Sequence, residues 1–203
     1  GIMMSNQNFE TPKKIFNFAQ KYFNLKFDLD VCATKQNTLC KNYFTKKDNS
    51  LLKDWKIDHY YDSNKGKFEG IFLNPPYNQA SKFIKKATEQ NIKHDLNIVG
   101  LFNVITDTKV FHECFFYTNK DKKQIIKPNI EFYFIPKRIT FNLNGIKSKY
   151  PNPKPSMLIF WKSTRIMTYN KKIHGILTEE IFLNLILAMN PQIIKLKQHI
   201  KNQ

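Results

Sequence analysis

Within four positions, Asn74-Pro75-Pro76-Tyr77 gathers two neutral hydrogen-bond acceptors, two rigid residues and one aromatic face. The exocyclic amine of adenine delocalises its lone pair into the ring, so it is a weak nucleophile toward a methyl group. Acceptors set against its two hydrogens would localise that pair, and the Asn74 side-chain oxygen and the Pro75 carbonyl are such acceptors. Neither is charged, and no strong base is needed. Pro75 and Pro76 stiffen the backbone that carries them, while Tyr77 offers a surface on which an extruded base can stack. A surface turn punctuated by proline, or a proline-rich ligand for a binding module, would use the same residue types. Surface turns are not usually preceded by Ile71-Phe72-Leu73. An open α/β sheet places its ligand sites at the carboxyl ends of such buried strands.

The elements that must position this loop are legible in the spacing. Thr11 to Asn24 reads as an amphipathic helix, with Thr11 as a cap, Pro12 suited to the first helical position, and Ile15, Phe16, Ala19, Tyr22 and Phe23 recurring at helical intervals. Lys26 to Val31 alternates as a strand that carries Asp30 near its carboxyl end, followed by a turn at Cys32-Ala33-Thr34. Phe68 to Leu73 is a second strand running into the loop, and Gln79 to Asn91 is a helix with Phe83, Ile84 and Ala87 on one face. A third strand covers Leu96 to Phe102, and a short helix through His112 begins near Thr106-Asp107-Thr108. Ile130 to Ile135 and Met157 to Trp161 are further strands. Strands alternating with helices predict an open α/β sheet. A last helix, Glu179 to Met189, is capped by Thr178, and the basic residues after it form either a solvated helix end or an arm that touches DNA.

At 203 residues and 41% hydrophobic composition, the chain can fill one core, and neither a disordered nor a collagen-like class fits. No apolar run approaches the roughly 18–20 residues needed to cross a bilayer, so no membrane partner is expected. Gly1-Ile2-Met3-Met4 has neither the basic flank nor the apolar core of a secretory signal and resembles a cloning remnant. The expected compartment is therefore a reducing cytoplasm. Three cysteines, Cys32, Cys40 and Cys114, cannot all pair, and their spacing is a poor zinc pattern, so buried thiols are expected and no metal. Lys and Arg exceed Asp and Glu by a formal charge of +17, nearly all of it lysine. A polyanionic partner is the best single explanation, although an AT-rich genome gives the same bias.

The wider pattern narrows the chemistry. Asn-Pro-Pro-Tyr after a buried strand resembles the catalytic motif of amino-methyltransferases that use S-adenosylmethionine. Thr11-Pro12, Leu29-Asp30-Val31-Cys32-Ala33-Thr34, Asn37, Cys40, Tyr43-Phe44-Thr45, Asp54-Trp55, Thr106-Asp107-Thr108, Phe111-His112 and Pro155-Ser156-Met157-Leu158 extend the likeness over about residues 11–161. Together they resemble the phage-type DNA N-6-adenine methyltransferase (Dam) family. The resemblance implies a class I methyltransferase (Rossmann-like) fold, an open and mostly parallel sheet with helices on both faces. It also implies S-adenosylmethionine as methyl donor, S-adenosylhomocysteine as product, and double-stranded DNA as substrate. Asn74, Pro75, Pro76 and Tyr77 would be the catalytic residues.

For the cofactor, the resemblance places Thr11 and Pro12 against the methionine part, Asp30 facing the methionyl amine with Cys32 and Ala33 in the loop beneath, and Asn37 nearby. Asp48 resembles the acid that binds the cofactor's adenine amine; the alternative is a helix cap. For DNA, Asp107, His112, Arg138 and Phe141 are the candidates. Phe141 either pairs with Tyr77 around a flipped base or is a core phenylalanine, and His112 is either a contact to phosphate or Asp107, or a packing residue. The family commonly has Pro-Ala-Arg where this chain has Asn103-Val104-Ile105, which removes an arginine from the substrate side. The resulting organisation is a disordered start over residues 1–10, a methyltransferase domain over 11–161, and a basic helical extension over 162–203. The stretch Lys56 to Lys67 is longer than expected. The same loop would serve an RNA adenine methyltransferase, and an inactive nucleic-acid-binding subunit would keep the fold. A protein-glutamine methyltransferase would need neither the charge nor a cofactor loop lacking glycines. Whether the chain acts alone, as a homodimer or with a partner subunit is left open by the residues.

Overall fold

The computed structural model describes residues 10–56, 61–62 and 66–174. Helix α1 (Lys13–Phe23) leads into β1 (Leu25–Asp30) and the short β2 (Asn42–Tyr43). After β3 (Tyr61–Asp62) come β4 (Lys67–Leu73), α2 (Ala80–His94), β5 (Ile98–Asn103) and α3 (Lys109–Phe115). A hairpin of β6 (Phe116–Thr118) and β7 (Gln124–Ile126) precedes β8 (Ile130–Phe134). A second hairpin, β9 (Asn142–Leu143) and β10 (Ile146–Lys147), precedes β11 (Ser156–Trp161) and α4 (Thr164–His174).

The main sheet runs in the order β2-β1-β4-β5-β11-β8, with β3 paired antiparallel to the start of β4. Pairs β2-β1, β1-β4 and β4-β5 are parallel; β11 lies antiparallel between β5 and β8. Both β5 and β11 are buried throughout, as is β4 after its first residue. That is why they read as continuous apolar runs rather than as alternation. Their side chains divide between two cores. Ile71, Leu73, Ile98, Met157 and Trp161 pack with α2 and α3, whereas Phe72, Val99, Leu101, Leu158 and Phe160 pack with α1 and with Ile166 of α4. Helices therefore cover both faces.

In β1 the register against β4 slips at Asp28, the extra residue between Phe27, opposite Gly70, and Leu29, opposite Ile71. A strand keeps odd positions on one face only while its register is unbroken. Across this bulge Leu25 and Phe27 stay in the α1 core while Leu29 and Val31 join the α2 core. Asp28 is left on the outside, accepting Asn42 Nδ2 at 3.1 Å, and Asp30 is buried. A solvated strand face thus describes Asp28 but not Asp30.

Two local expectations need correction. The first helix starts at Lys13 with Pro12 in the cap position, so Thr11 lies one residue outside it and makes no cap; its hydroxyl accepts from Asn74 instead. Neither short hairpin nor β2 was expected, and α4 falls within residues 162–203, where the sequence predicts a helical extension without a helix placed at these bounds. The helix at Glu179–Met189, the residues after it, the chain start before Glu10 and most of Lys56–Lys67 lie outside the described residues. No described helix is long and apolar enough to cross a membrane.

Candidate active site

From β1 the chain moves outward to β2 and then returns to the other side of β1 for β4. The crevice at the carboxyl ends of β1 and β4 is therefore the switch point at which open sheets bind ligands. Asp30 ends β1 and Asn74 follows β4, so the candidate acid and the candidate amide lie at the carboxyl ends of these neighbouring strands.

Asn74 is half-buried, and its Nδ2 donates to Thr11 Oγ1 at 3.0 Å. With Nδ2 assigned to Thr11, Oδ1 is the amide atom turned away from the Thr11 hydroxyl. The Pro76 carbonyl accepts Gln79 N at 2.9 Å and starts the turn Tyr77–Gln79, which feeds α2; no hydrogen bond among the described residues ends on the Pro75 carbonyl. The Tyr77 hydroxyl accepts Asn152 Nδ2 at 3.2 Å, and burial pushes its phenol up to about 12, so it stays protonated. Asn152 Nδ2 also donates to Asn103 Oδ1 at 2.8 Å, and both asparagines are buried. These two residues were missed by sequence reasoning. The available signal was a polar residue ending the apolar strand Ile98–Asn103, at the same sheet edge as Asn74.

Phe141 is buried, with its ring 6.4 Å from that of Tyr77 and inclined at 73°. A base held between two rings requires them parallel; here Phe141 supports Tyr77 edge-on, which leaves stacking to Tyr77. Arg138 is exposed and donates to the Pro153 carbonyl at 3.0 Å, tying 136–141 to the proline cluster. His112 accepts from Gln124 Nε2 at Nδ1 (3.0 Å), so its Nε2–H donates to the Thr106 carbonyl (2.6 Å). It braces the loop in which Asp107 is exposed, while Thr108 caps α3 by accepting Phe111 N at 3.3 Å.

On the β1 side, Asp30 Oδ1 accepts Cys32 N at 3.0 Å. Burial raises its carboxyl to about 7 despite that bond, and none of the ion pairs among the described residues involves it. Ala33 is buried beside it and Cys32 partly so; burial pushes both the Cys32 and the Cys40 thiols up, which keeps them unreactive. Asn37 shapes the following turn, its Oδ1 accepting Thr34 N at 2.7 Å and its N donating to Thr34 Oγ1 at 3.2 Å. Asp48 accepts from Thr45 N at 2.7 Å and Thr45 Oγ1 at 2.9 Å, which holds its carboxyl below the usual range and closes the turn Lys46–Asp48. That engages Asp48 as a cap. Trp55 is fully buried, its N donating to Gln90 Oε1 at 2.7 Å and its indole to the Ser50 carbonyl at 2.9 Å, so the segment after Asp48 is pinned on α2. Among the described residues no three His, Cys, Asp or Glu side chains converge as a metal-holding group.

The family described as DNA N-6-adenine-methyltransferase (Dam) matches residues 4–177. A DNA N-6-adenine-methyltransferase from Haemophilus phage HP1 (strain HP1c1) is 34% identical over 154 residues, 75% of this chain and 76% of that protein. Another, from Escherichia phage T1, is 30% identical over 104 residues, 51% of this chain and 39% of that protein. The family match spans the Asp30 turn, the Asn74 loop and the Tyr77–Asn152 contact alike, and the chain belongs to the DNA N-6-adenine-methyltransferase (Dam) family.

Proposed function

We propose that the chain is an adenine-specific DNA methyltransferase that transfers a methyl group from S-adenosylmethionine to N6 of an adenine flipped out of duplex DNA. The observation that carries this reading is the Asn74–Thr11 bond at 3.0 Å. With Nδ2 assigned to Thr11, the amide oxygen is the acceptor we assign to the amine, and the Pro75 carbonyl is the second. Each takes one N6 hydrogen, drawing the nitrogen from planar toward tetrahedral and stabilising the positive charge that grows on it. Neither is basic enough to keep the released proton, which passes to water. Tyr77 stacks on the extruded base, with Phe141 bracing its edge and Asn152 fixing its hydroxyl.

Asp30 fits the cofactor, because a buried carboxyl raised by desolvation is the partner that a ligand ammonium group would stabilise. On the family resemblance we also assign Thr11, Pro12, Cys32, Ala33, Asn37 and Asp48 to the cofactor, with Asn37 holding the turn at Thr34 and Asp48 the turn Lys46–Asp48. When bound, S-adenosylmethionine supplies a sulfonium methyl whose C–S bond breaks as the N6–C bond forms, leaving S-adenosylhomocysteine. The class I methyltransferase fold is supported by the switch point between β1 and β4 and by the antiparallel β11 at the far side of β5. Because both relatives are from phages, we place the protein in the cytoplasm of an infected host.

The test is methyl transfer from labelled S-adenosylmethionine to duplex DNA, single-stranded DNA and RNA, with mass spectrometry of the product nucleosides. N6-methyladenine in duplex DNA is expected. Label found only in RNA, or on cytosine, would overturn the assignment.

A further inference from the structure

We propose that the β9–β10 hairpin is a wedge that enters duplex DNA beside the target adenine, with Ile146 as the inserted side chain; this rests on the DNA-methyltransferase reading above. Ile146 is 73% exposed, an unusual state for an isoleucine held in a defined strand. Its cross-strand partner is Leu143, so the tip presents two aliphatic side chains on one face. The turn between them is Asn144-Gly145, with φ of 50° and 77°, the two positive values that a tight two-residue hairpin requires.

A hairpin this short is marginal alone. It is made rigid from outside, by the residue that precedes Thr11. Glu10 N donates to the Asn142 carbonyl at 2.9 Å, and the Glu10 carboxylate accepts Gly145 N at 3.0 Å and 3.3 Å. At the base, Ser148 N donates to the Phe141 carbonyl at 2.9 Å, and Phe141 itself abuts Tyr77. The arm therefore projects from the residues that brace the catalytic loop, and its orientation is tied to theirs. Exposed Lys147 and Lys149 flank the tip, with the Lys149 ammonium 5.6 Å from the ring of Tyr150, which is 69% exposed. An apolar tip with cationic shoulders suits duplex DNA: apolar side chains wedge between base steps, and lysines meet the phosphates on either side. The major groove also admits a two-stranded ribbon.

The test compares wild type, Ile146→Ala and Ile146→Leu on a duplex built around the methylated sequence and on the same duplex with an abasic site opposite the target adenine. Because the side chain is exposed, the substitutions are expected to leave the fold and cofactor binding intact. For a wedge that lowers the cost of extrusion, Ile146→Ala loses about tenfold in kcat/KM on the paired duplex. It recovers most of that on the abasic duplex, where the base is already unpaired, and Ile146→Leu stays near wild type. Equal activity of Ile146→Ala and wild type on the paired duplex, or an equal loss on both duplexes, would overturn the wedge. A second readout needs no methyl transfer: circular DNA relaxed by a topoisomerase in the presence of the protein changes linking number if a wedge unwinds it. Wild type is expected to shift the topoisomers and Ile146→Ala to shift them far less. If wild type shifts them yet methylates no DNA, the wedge stands and the methyltransferase reading fails; if an active wild type leaves them unchanged, the wedge fails alone.

Discussion

A neutral amide activates an amine only if its oxygen faces the nitrogen, and in the proposed site the Thr11 hydroxyl anchors the Asn74 side chain through Nδ2. Thr11→Val keeps the shape and removes the partner, so kcat should fall by about tenfold, the worth of one net hydrogen bond, with KM for DNA little changed. Thr11→Ser should restore it, and steady-state kinetics of the three proteins check this. Asp30 sets a pH dependence. Its carboxyl is raised to about 7, so in the free protein it is protonated below that pH, while the cofactor ammonium proposed as its partner would bind the ionised form. Affinity for S-adenosylmethionine should therefore rise about tenfold per pH unit below 7 and level off above it. Calorimetric titration between about pH 5.5 and 8.5 reads this directly, and Asp30→Asn should flatten the profile. The same shift costs the free fold stability as pH climbs from the ordinary carboxylate range through about 7, because the unfolded chain ionises Asp30 first.

At the scale of elements, the loop is only as well placed as the strands beneath it. Gly100 of β5 lies opposite Leu73, the residue before Asn74, and a Cβ there would run into the ring of buried Phe102 and come within 3.2 Å of Leu73 Cδ2. Gly100→Ala should destabilise by about 1–3 kcal/mol in denaturant titration and reduce kcat further than partial unfolding explains, because Leu73 carries Asn74 with it. The central strands and α1, α2 and α3 were legible because burial on both faces leaves continuous apolar runs and amphipathic helices leave spaced ones. The two-residue strands carry too few positions for any period to show, although Asn144-Gly145 was a hairpin signal that went unread. The Asp28 bulge was hidden for a different reason: Phe27, Leu29 and Val31 alternate perfectly in sequence, and only pairing with β4 splits them between two cores. Of the proposed site, Asn74 through Tyr77 could be read from residue type and position, whereas the role proposed for Asp30 rests on the family resemblance. Asn152 could not, since its contact with Tyr77 spans 75 residues.

For the whole molecule, a formal charge of +17 suits a polyanionic partner. If lysines meet phosphates, binding to duplex DNA releases counterions, and log Kobs should fall with log salt at a slope of about −4 or steeper. Fluorescence anisotropy over a salt series measures it, and a slope near −1 would mean that the excess charge does not face DNA. The central claim, however, is that a neutral amide at Asn74 makes the adenine amine reactive. The direct measurement is the yield of N6-methyladenine in duplex DNA from wild type and Asn74→Ala at matched protein and saturating S-adenosylmethionine. The account predicts a loss of about 10²–10³-fold in kcat for Asn74→Ala, with cofactor and DNA affinity retained. Undiminished N6-methyladenine from Asn74→Ala would contradict it.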